Sequence, residues 1–367
     1  MTGIKIIGAG SIGNHLAHAA RIKGWDVLLT DVDPEALRRA REDIYPDRYG
    51  EWDPEIQLAD SKDTIDELAD VVFIGTPPDT HLTLAQDVLK KAPPRALVIE
   101  KPLCGPDLVG CSELWERAQE SGVFLGVGYN HALGKNTQAM ENILSQGGLG
   151  EIQTLSAKTR EHWGGIFQAH PWLSGPESSY LGFSSRGGGA CGEHSHAINI
   201  WQHFAHVLGA GRVQEVSALL DMHRDGDAYY DQLAILTLRT EQGLVGEVIQ
   251  DVVTSPTEKM ARIQGSQGFA EWHVNYSSGA DAVISGEGSG TPQITLFEKT
   301  RADDFILEIE HLEQVLKGTI TESPISLQRG LDTMMVIAAA FRSAKEKCSI
   351  NINWSAGYRP EALQLAI

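Results

Sequence analysis

The chain has 367 residues, 42% of them apolar and 22% charged, which excludes a disordered protein and provides core for about two domains. Thirty Lys and Arg stand against 49 Asp and Glu, a formal charge of −19. A surface this acidic argues against nucleic acid or anionic membrane as the main partner, because phosphate binding needs clustered basic residues.

The first 130 residues alternate strand and helix. Ile4–Ile7 is a short apolar run closed by glycine, and Asn14–Lys23 has helical composition with Gly24 as its stop. Asp26–Thr30 reads as a second strand. Asp33 then caps a helix over Glu35–Glu42, with Pro34 at its first position. Val71–Gly75 and Ala96–Ile99 are nearly all apolar, as parallel strands covered on both faces must be. Helical stretches Thr80–Lys91 and Asp107–Glu120 follow them, and Val123–Val127 is one more strand. This alternation predicts a doubly wound parallel sheet over residues 1–130.

Beyond Asn130 the pattern changes. Glu151–Arg160, Val213–His223, Gln232–Arg239 and Leu244–Val253 are strand-like and closely spaced, with Thr240-Glu241-Gln242-Gly243 as one turn. They predict a second domain, residues 131–367, with a mostly antiparallel sheet. Gly164–Gly192 and Ser277–Gly290, rich in glycine, read as long loops. Leu327–Lys347 reads as a helix with an apolar stripe of Leu331, Met334, Met335, Ala338 and Phe341. The four cysteines include no C-x-x-C pair and fit reduced thiols. No basic-then-apolar leader opens the sequence, and no apolar run approaches the ~18 residues of a spanning helix, so the expectation is a cytoplasmic protein.

Gly8-Ala9-Gly10-Ser11-Ile12-Gly13 matches G-x-G-x-x-G between a strand and a helix. Gly8 permits the turn, Gly10 admits a pyrophosphate to the backbone, and Gly13 lets helix and strand pack closely. The first N–H groups of the helix, including those of Ser11 and Ile12, face the phosphates. Asp31 ends the next strand and accepts from ribose hydroxyls. A 2′-phosphate there meets like charge, so NAD is expected rather than NADP.

Four further segments carry a resemblance. Gly75-Thr76-Pro77-Pro78-Asp79-Thr80-His81, Glu100-Lys101-Pro102, Gly128-Tyr129-Asn130-His131 and Gly187-Gly188-Gly189 followed by His196 resemble, in order and spacing, signatures of the glucose–fructose oxidoreductase / inositol dehydrogenase (Gfo/Idh/MocA) family. The likeness runs from Ile4 to about Asn351. It implies a Rossmann domain followed by a C-terminal α/β domain with a large open, mostly antiparallel sheet that forms the interface of a homodimer or homotetramer. It also implies that Thr76, Pro77, His81, Glu100, Lys101 and Asn130 lie beside the cofactor, and that the Lys101–Pro102 bond is cis.

The residues themselves indicate a chemistry. Lys101 ends a parallel strand, where open α/β sheets hold ligands, and its charge suits an alkoxide developing as hydride leaves. His196 suits a general acid/base, because imidazole titrates near neutral pH. Glu193 orients it in this reading, and His194 is the competing base. Relatives place an aspartate four residues before that histidine; here Gly192 stands there, and Asn199 stands where they have a later aspartate. Candidate substrate contacts are Lys101, Asn130, Arg160, His162, Trp163, Trp172, Arg186, His196 and Asn199, a polar and aromatic set suited to a sugar ring. His131 stands where relatives often carry arginine. His194, His196, His203 and His206 with Glu193 form a metal-like cluster, but seven residues separate His196 from His203, so no metal is expected. The resulting expectation is an NAD-dependent dehydrogenase acting on a hydroxyl of a sugar, cyclitol or sugar derivative. The alternatives are an NAD-using glycosidase of the same fold and a non-catalytic dinucleotide or sugar sensor.

Overall fold

Six parallel strands form the first sheet of the computed structural model, which describes residues 2–168, 170–288 and 290–366. They are β1 (Gly3–Ile7), β2 (Asp26–Asp31), β3 (Ile56–Asp60), β4 (Val71–Ile74), β5 (Ala96–Ile99) and β6 (Phe124–Val127). Their spatial order is β3-β2-β1-β4-β5-β6. The order reverses between β1 and β4, and open α/β sheets hold ligands at such a switch point, outside the carboxyl ends of the strands. Every residue of β4 and β5 is buried, as their apolar runs predict. β3 escapes the sequence reading because it is an edge strand with only Ile56 buried.

The helix after β1 spans Ser11–Ile22, three residues longer at its start than composition predicts, because Gly13 lies within its first turn. Gly24, at φ +73°, ends it as expected. Asp33 caps the helix Pro34–Arg39 by accepting from the Glu35 N–H at 3.0 Å.

The helix Arg301–Leu316 packs on the Ser11–Ile22 helix. Phe305, Ile309 and Leu312 are at most 1% exposed and share a cluster with Leu16, Ala20 and Trp25. At about 1.5–3 kcal/mol for each fully buried large side chain, this helix is a structural member of the first unit and not an appendage. By packing, Met1–Leu103, Gly110–Leu133 and Arg301–Gln328 make that unit; Cys104–Val109, Gly134–Thr300 and Arg329–Ile367 make the second.

The second unit holds a ten-stranded open sheet. Its strands are β7 (Ile152–Arg160), β8 (Val213–Asp225), β9 (Ala228–Thr240), β10 (Val245–Asp251), β11 (Glu258–Gly265), β12 (Gly268–Ser277), β13 (Ala280–Glu287), β14 (Gln293–Glu298), β15 (Ile350–Ile352) and β16 (Leu363–Leu365). The order is β14-β13-β12-β11-β7-β10-β9-β8-β15-β16, antiparallel except for the parallel pair β7 and β10. One face is covered by helices. Trp201, on the helix His196–Val207, donates from its indole to Leu155 O at 2.8 Å, and Trp272 of β12 donates to Thr137 on the helix Lys135–Ser145. Leu327–Glu346 is a helix, as its stripe predicts. On the other face Leu219, Ile235, Ile249, Lys158, Met260 and His273 stand side by side across six strands. Leu219 there is 65% exposed.

Two loop expectations are corrected. Ser277–Gly290 contains β13, whose Ala282 and Val283 are buried; the flanking glycines masked a strand. Gly164–Gly192 contains the short helix Gly164–Gln168, three single turns and the helix Gly189–Glu193. Cys104, Cys111 and Cys191 are buried, Cys348 is half-buried, and none forms a disulfide. Among the described residues no helix is long and apolar enough to cross a membrane.

Candidate active site

The glycine-rich turn leaves β1 at the switch point. Gly8 has φ +115°, and a Cβ there would lie 2.7 Å from Gly75 O; one on Gly13 would lie 2.1 Å from Gly8 O. A Cβ on Gly10 would meet no protein atom within 4 Å. Gly8 and Gly13 are needed for packing, and Gly10 leaves open space over the helix start, where a pyrophosphate would sit. Asp31 stands at the end of β2, accepting from the Ala9 N–H at 2.8 Å and the Asp33 N–H at 3.0 Å. Each carboxylate oxygen keeps a lone pair for a ribose hydroxyl. Asn14, which the sequence reading passed over, stiffens the turn by donating to Gly10 O at 2.8 Å. The open space and these acceptors fit a dinucleotide.

The ends of β4, β5 and β6 lie along the same edge. Thr76 is half-buried and Pro77 exposed. His81 is fully buried, its Nε2 2.7 Å from Thr76 O and its Nδ1 3.1 Å from Pro102 O. Burial lowers its pKa to about 4 against the pull of these carbonyls, so the ring is neutral at pH 7 and donates to one of the two carbonyls between which it is packed. Glu100 is 7% exposed and accepts from the Lys101 N–H at 2.8 Å. Gly128 makes room for it, since a Cβ there would lie 2.8 Å from Glu100 Oε1. Lys101 follows β5, half-buried, and the Lys101–Pro102 bond is cis. Asn130 is 7% exposed at the start of the turn Asn130–Leu133. Glu308, unforeseen in the sequence, is fully buried. Burial pushes its carboxyl well above the usual range, and the charges of Glu100 and Asp304 add to the shift. A concavity of about 470 Å³ lined by Pro94, Arg95, Phe124 and Leu316 sits at the opposite, amino-terminal ends of β5 and β6, away from this edge.

In the second unit the short helix Gly189–Glu193 carries the altered segment. A Cβ on Gly192 would lie 1.9 Å from Gly187 O, so an aspartate has no room there. A carboxylate arrives instead from β9. Asp231 is fully buried, accepts from Ser184 Oγ at 2.6 Å and from the Cys191 N–H at 2.7 Å, and anchors the start of the helix. Burial pushes its pKa up to about 6, while these hydrogen bonds hold it down. A lone Asp in the otherwise alternating Tyr230-Asp231-Gln232-Leu233 was its only sequence signal. Glu193 is half-buried and accepts from the Tyr180 hydroxyl at 3.4 Å. His194 is 4% exposed, with Nε2 donating to Glu161 O at 3.3 Å. His196 is half-buried and opens the helix His196–Val207.

The other candidates are spread over the second unit. Arg160 donates to Asp251 at 2.7 Å across the parallel β7–β10 pair, and His162 accepts from the Gly164 N–H. Trp163 packs 4.6 Å from the Tyr230 ring, in a cluster with Leu181 and Ala190. These residues, with Glu193 and His194, therefore gather where β7, β9 and the short helix meet. Arg186 lies over the Phe183 ring, and Trp172 is 37% exposed beside His170. Asn199 is 4% exposed and donates to Thr333 on the helix Leu327–Glu346. His203 pairs with Glu141 at 2.7 Å. Among the described residues no group of three or more His, Cys, Asp or Glu is arranged to hold a metal.

A search among curated proteins returns no significant match. Solved structures that superpose include levoglucosan dehydrogenase in complex with NADH and levoglucosan (TM-score 0.74, 17% identity, 95% of this chain and 98% of that one). The aldose-aldose oxidoreductase of Caulobacter crescentus in complex with glycerol gives 0.74 at 19% identity, over 96% and 99% of the two chains. The WlbA dehydrogenase of Bordetella pertussis in complex with NADH and UDP-GlcNAcA gives 0.70 at 19%, over 96% and 98%. At these identities the likeness is one of fold. Residues 2–129 match the family model described as an oxidoreductase family with an NAD-binding Rossmann fold, and residues 137–271 match the GFO/IDH/MocA C-terminal domain. The chain therefore belongs to the Gfo/Idh/MocA family of NAD-binding oxidoreductases.

Proposed function

We propose that the protein is a dehydrogenase that oxidises or reduces one hydroxyl-bearing carbon of a sugar, cyclitol or sugar derivative, with NAD preferred over NADP. The observation that carries this reading is Lys101, an ammonium at the carboxyl end of β5 on the sheet edge that also bears the open glycine turn. Bound NAD supplies the hydride acceptor. Lys101 holds the substrate hydroxyl and stabilises the alkoxide character it acquires. Glu100 fixes the main chain before Lys101, and Asp31 selects the ribose diol over a 2′-phosphate. The proton is assigned to His196, with Glu193 as its orienting partner and His194 as the competing base. Arg160, His162, Trp163, Trp172, Arg186, Asn130 and Asn199 remain the candidate sugar contacts. Levoglucosan, glycerol and UDP-GlcNAcA in the similar structures support this substrate class.

The row containing Leu219 and Ile235 supports a homo-oligomer joined through the ten-stranded sheet, since exposed contiguous apolar surface of this kind is normally covered. The four thiols suit the reducing cytoplasm. The test is to mix the protein with NAD and a panel of polyols, sugars and cyclitols. Reduced cofactor should accumulate with at least one of them. Glycoside cleavage without net cofactor reduction favours the NAD-using glycosidase. Dinucleotide that stays bound without turnover on any compound favours the sensor.

A further inference from the structure

The turn Gly8–Gly13 has a cation behind it that the fingerprint does not contain. After the helix Pro34–Arg39 the chain widens through Ala40–Ile44 and enters the short helix Tyr45–Tyr49. This path carries Arg48 onto Ser11, the first residue of the helix Ser11–Ile22. Arg48 Nη1 donates to Ser11 O at 2.9 Å and Nη2 to Ser11 Oγ at 2.8 Å. Aromatic contacts hold the two helices together. The His18 and Tyr49 rings stack with centroids 3.5 Å apart, His18 Nδ1 lies 3.1 Å from the Tyr45 hydroxyl, and His15 meets the Tyr49 ring edge-on at 5.9 Å.

Arg48 is half-buried, and among the described residues it forms no ion pair, in a chain with 49 acidic residues. Burial lowers its pKa and the nearby Arg301 lowers it further, while Asp47 and Tyr49 act the other way. A partly desolvated charge without a counter-ion is costly, and here it adjoins the positive end of a helix dipole. The helix start has no side-chain cap, and the space above Gly10 is open. An arriving anion would satisfy all of these groups at once. The hydroxyl geometry points the same way. Ser11 Oγ already accepts from Arg48, so its own hydrogen is directed elsewhere, and Ser11 is half-exposed.

We propose that Arg48 is a positioning residue for the dinucleotide: it fixes Ser11 as a hydroxyl donor to the pyrophosphate and adds a positive charge behind it. This rests on the reading of residues 8–13 as the pyrophosphate turn.

The test is calorimetric titration of NADH and of ADP-ribose into the wild type, Arg48→Met, Arg48→Lys, Ser11→Ala and the Ser11→Ala/Arg48→Met pair, with thermal melting of each unliganded protein alongside. Arg48→Met should weaken both ligands about tenfold or more, and the weakening should shrink as salt is raised. Arg48→Lys should recover part of the loss, because it keeps the charge but not the two-pronged donor. The double variant should lose clearly less than the two single losses combined, since both remove one unit. Arg48→Met binding within about twofold of wild type, or fully additive losses, overturns the proposal. If Arg48→Met does not fold, the cycle of Arg48→Lys with Ser11→Ala decides by the same criterion. Folded wild type that binds neither ligand overturns the reading of the turn itself, a different outcome from variants that bind as the wild type does.

Discussion

Two glycine-rich segments, Gly8–Gly13 and Gly187–Gly192, look alike in composition and are used in opposite ways. In the first, the position over Gly10 is open. In the second, a Cβ on Gly188, Gly189 or Gly192 would lie 2.2, 2.0 or 1.9 Å from Tyr180 O, Asp231 Oδ1 or Gly187 O. In the first segment Gly10 leaves room for a ligand while Gly8 and Gly13 leave room for backbone; in the second, Gly188, Gly189 and Gly192 leave room only for the protein's own backbone and a buried carboxylate. A glycine count therefore does not indicate a binding loop until the neighbours of each missing side chain are known.

Several measurements break or sharpen that contrast. Lys101→Ala, on the open side, should lower turnover about 10³-fold while NADH affinity in a fluorescence titration stays close to wild type; near-normal turnover would remove Lys101 from the chemistry. On the filled side, Gly192→Asp should cost about 3–4 kcal/mol in denaturant unfolding, because the Gly187 carbonyl must move. A variant as stable as wild type would mean that the segment yields readily.

Asp231 gives a pH signature to the same segment. Its folded pKa, about 6, lies above the usual 3.8, so the fold favours the protonated acid. The associated stability is complete below about pH 4 and is lost as pH rises through 6, by about 3 kcal/mol in all. Unfolding free energies of wild type and Asp231→Asn, measured from pH 4 to 7, should differ by that slope; parallel profiles would place the titration elsewhere. The smallest effect is expected at Asp31. Asp31→Asn should shift the NADP-to-NAD affinity ratio about tenfold toward NADP, and an unchanged ratio would deny Asp31 its selective role.

What could be read in advance follows the range of the interactions. Strand β1, the turn, its helix and Asp31 are set by neighbours within a few tens of residues, and each leaves a local mark. Lys101 was visible because a lysine in Glu100-Lys101-Pro102, just past the apolar strand Ala96–Ile99, is conspicuous. Asp231 was not, because its partners Ser184 and Cys191 lie 47 and 40 positions away. Arg48 reaches Ser11 across 37 positions, and Glu308 lies far along the chain from Glu100, so neither pairing leaves a periodic trace. The helix Arg301–Leu316 joins the first unit only through tertiary packing. β13 was hidden for the opposite reason, a local glycine signal overruled by the strands on either side.

The distribution of the four cysteines has a practical consequence. Three sulfurs are enclosed, and Cys191 is further subdued because burial and the neighbouring Asp231 raise its thiol well above the ordinary value. Only Cys348, just before β15, is within partial reach of solvent. A maleimide fluorophore or spin label added to the native, unmodified chain should therefore attach at one place, giving a single-site reporter on the ten-stranded sheet without any cysteine having to be engineered away.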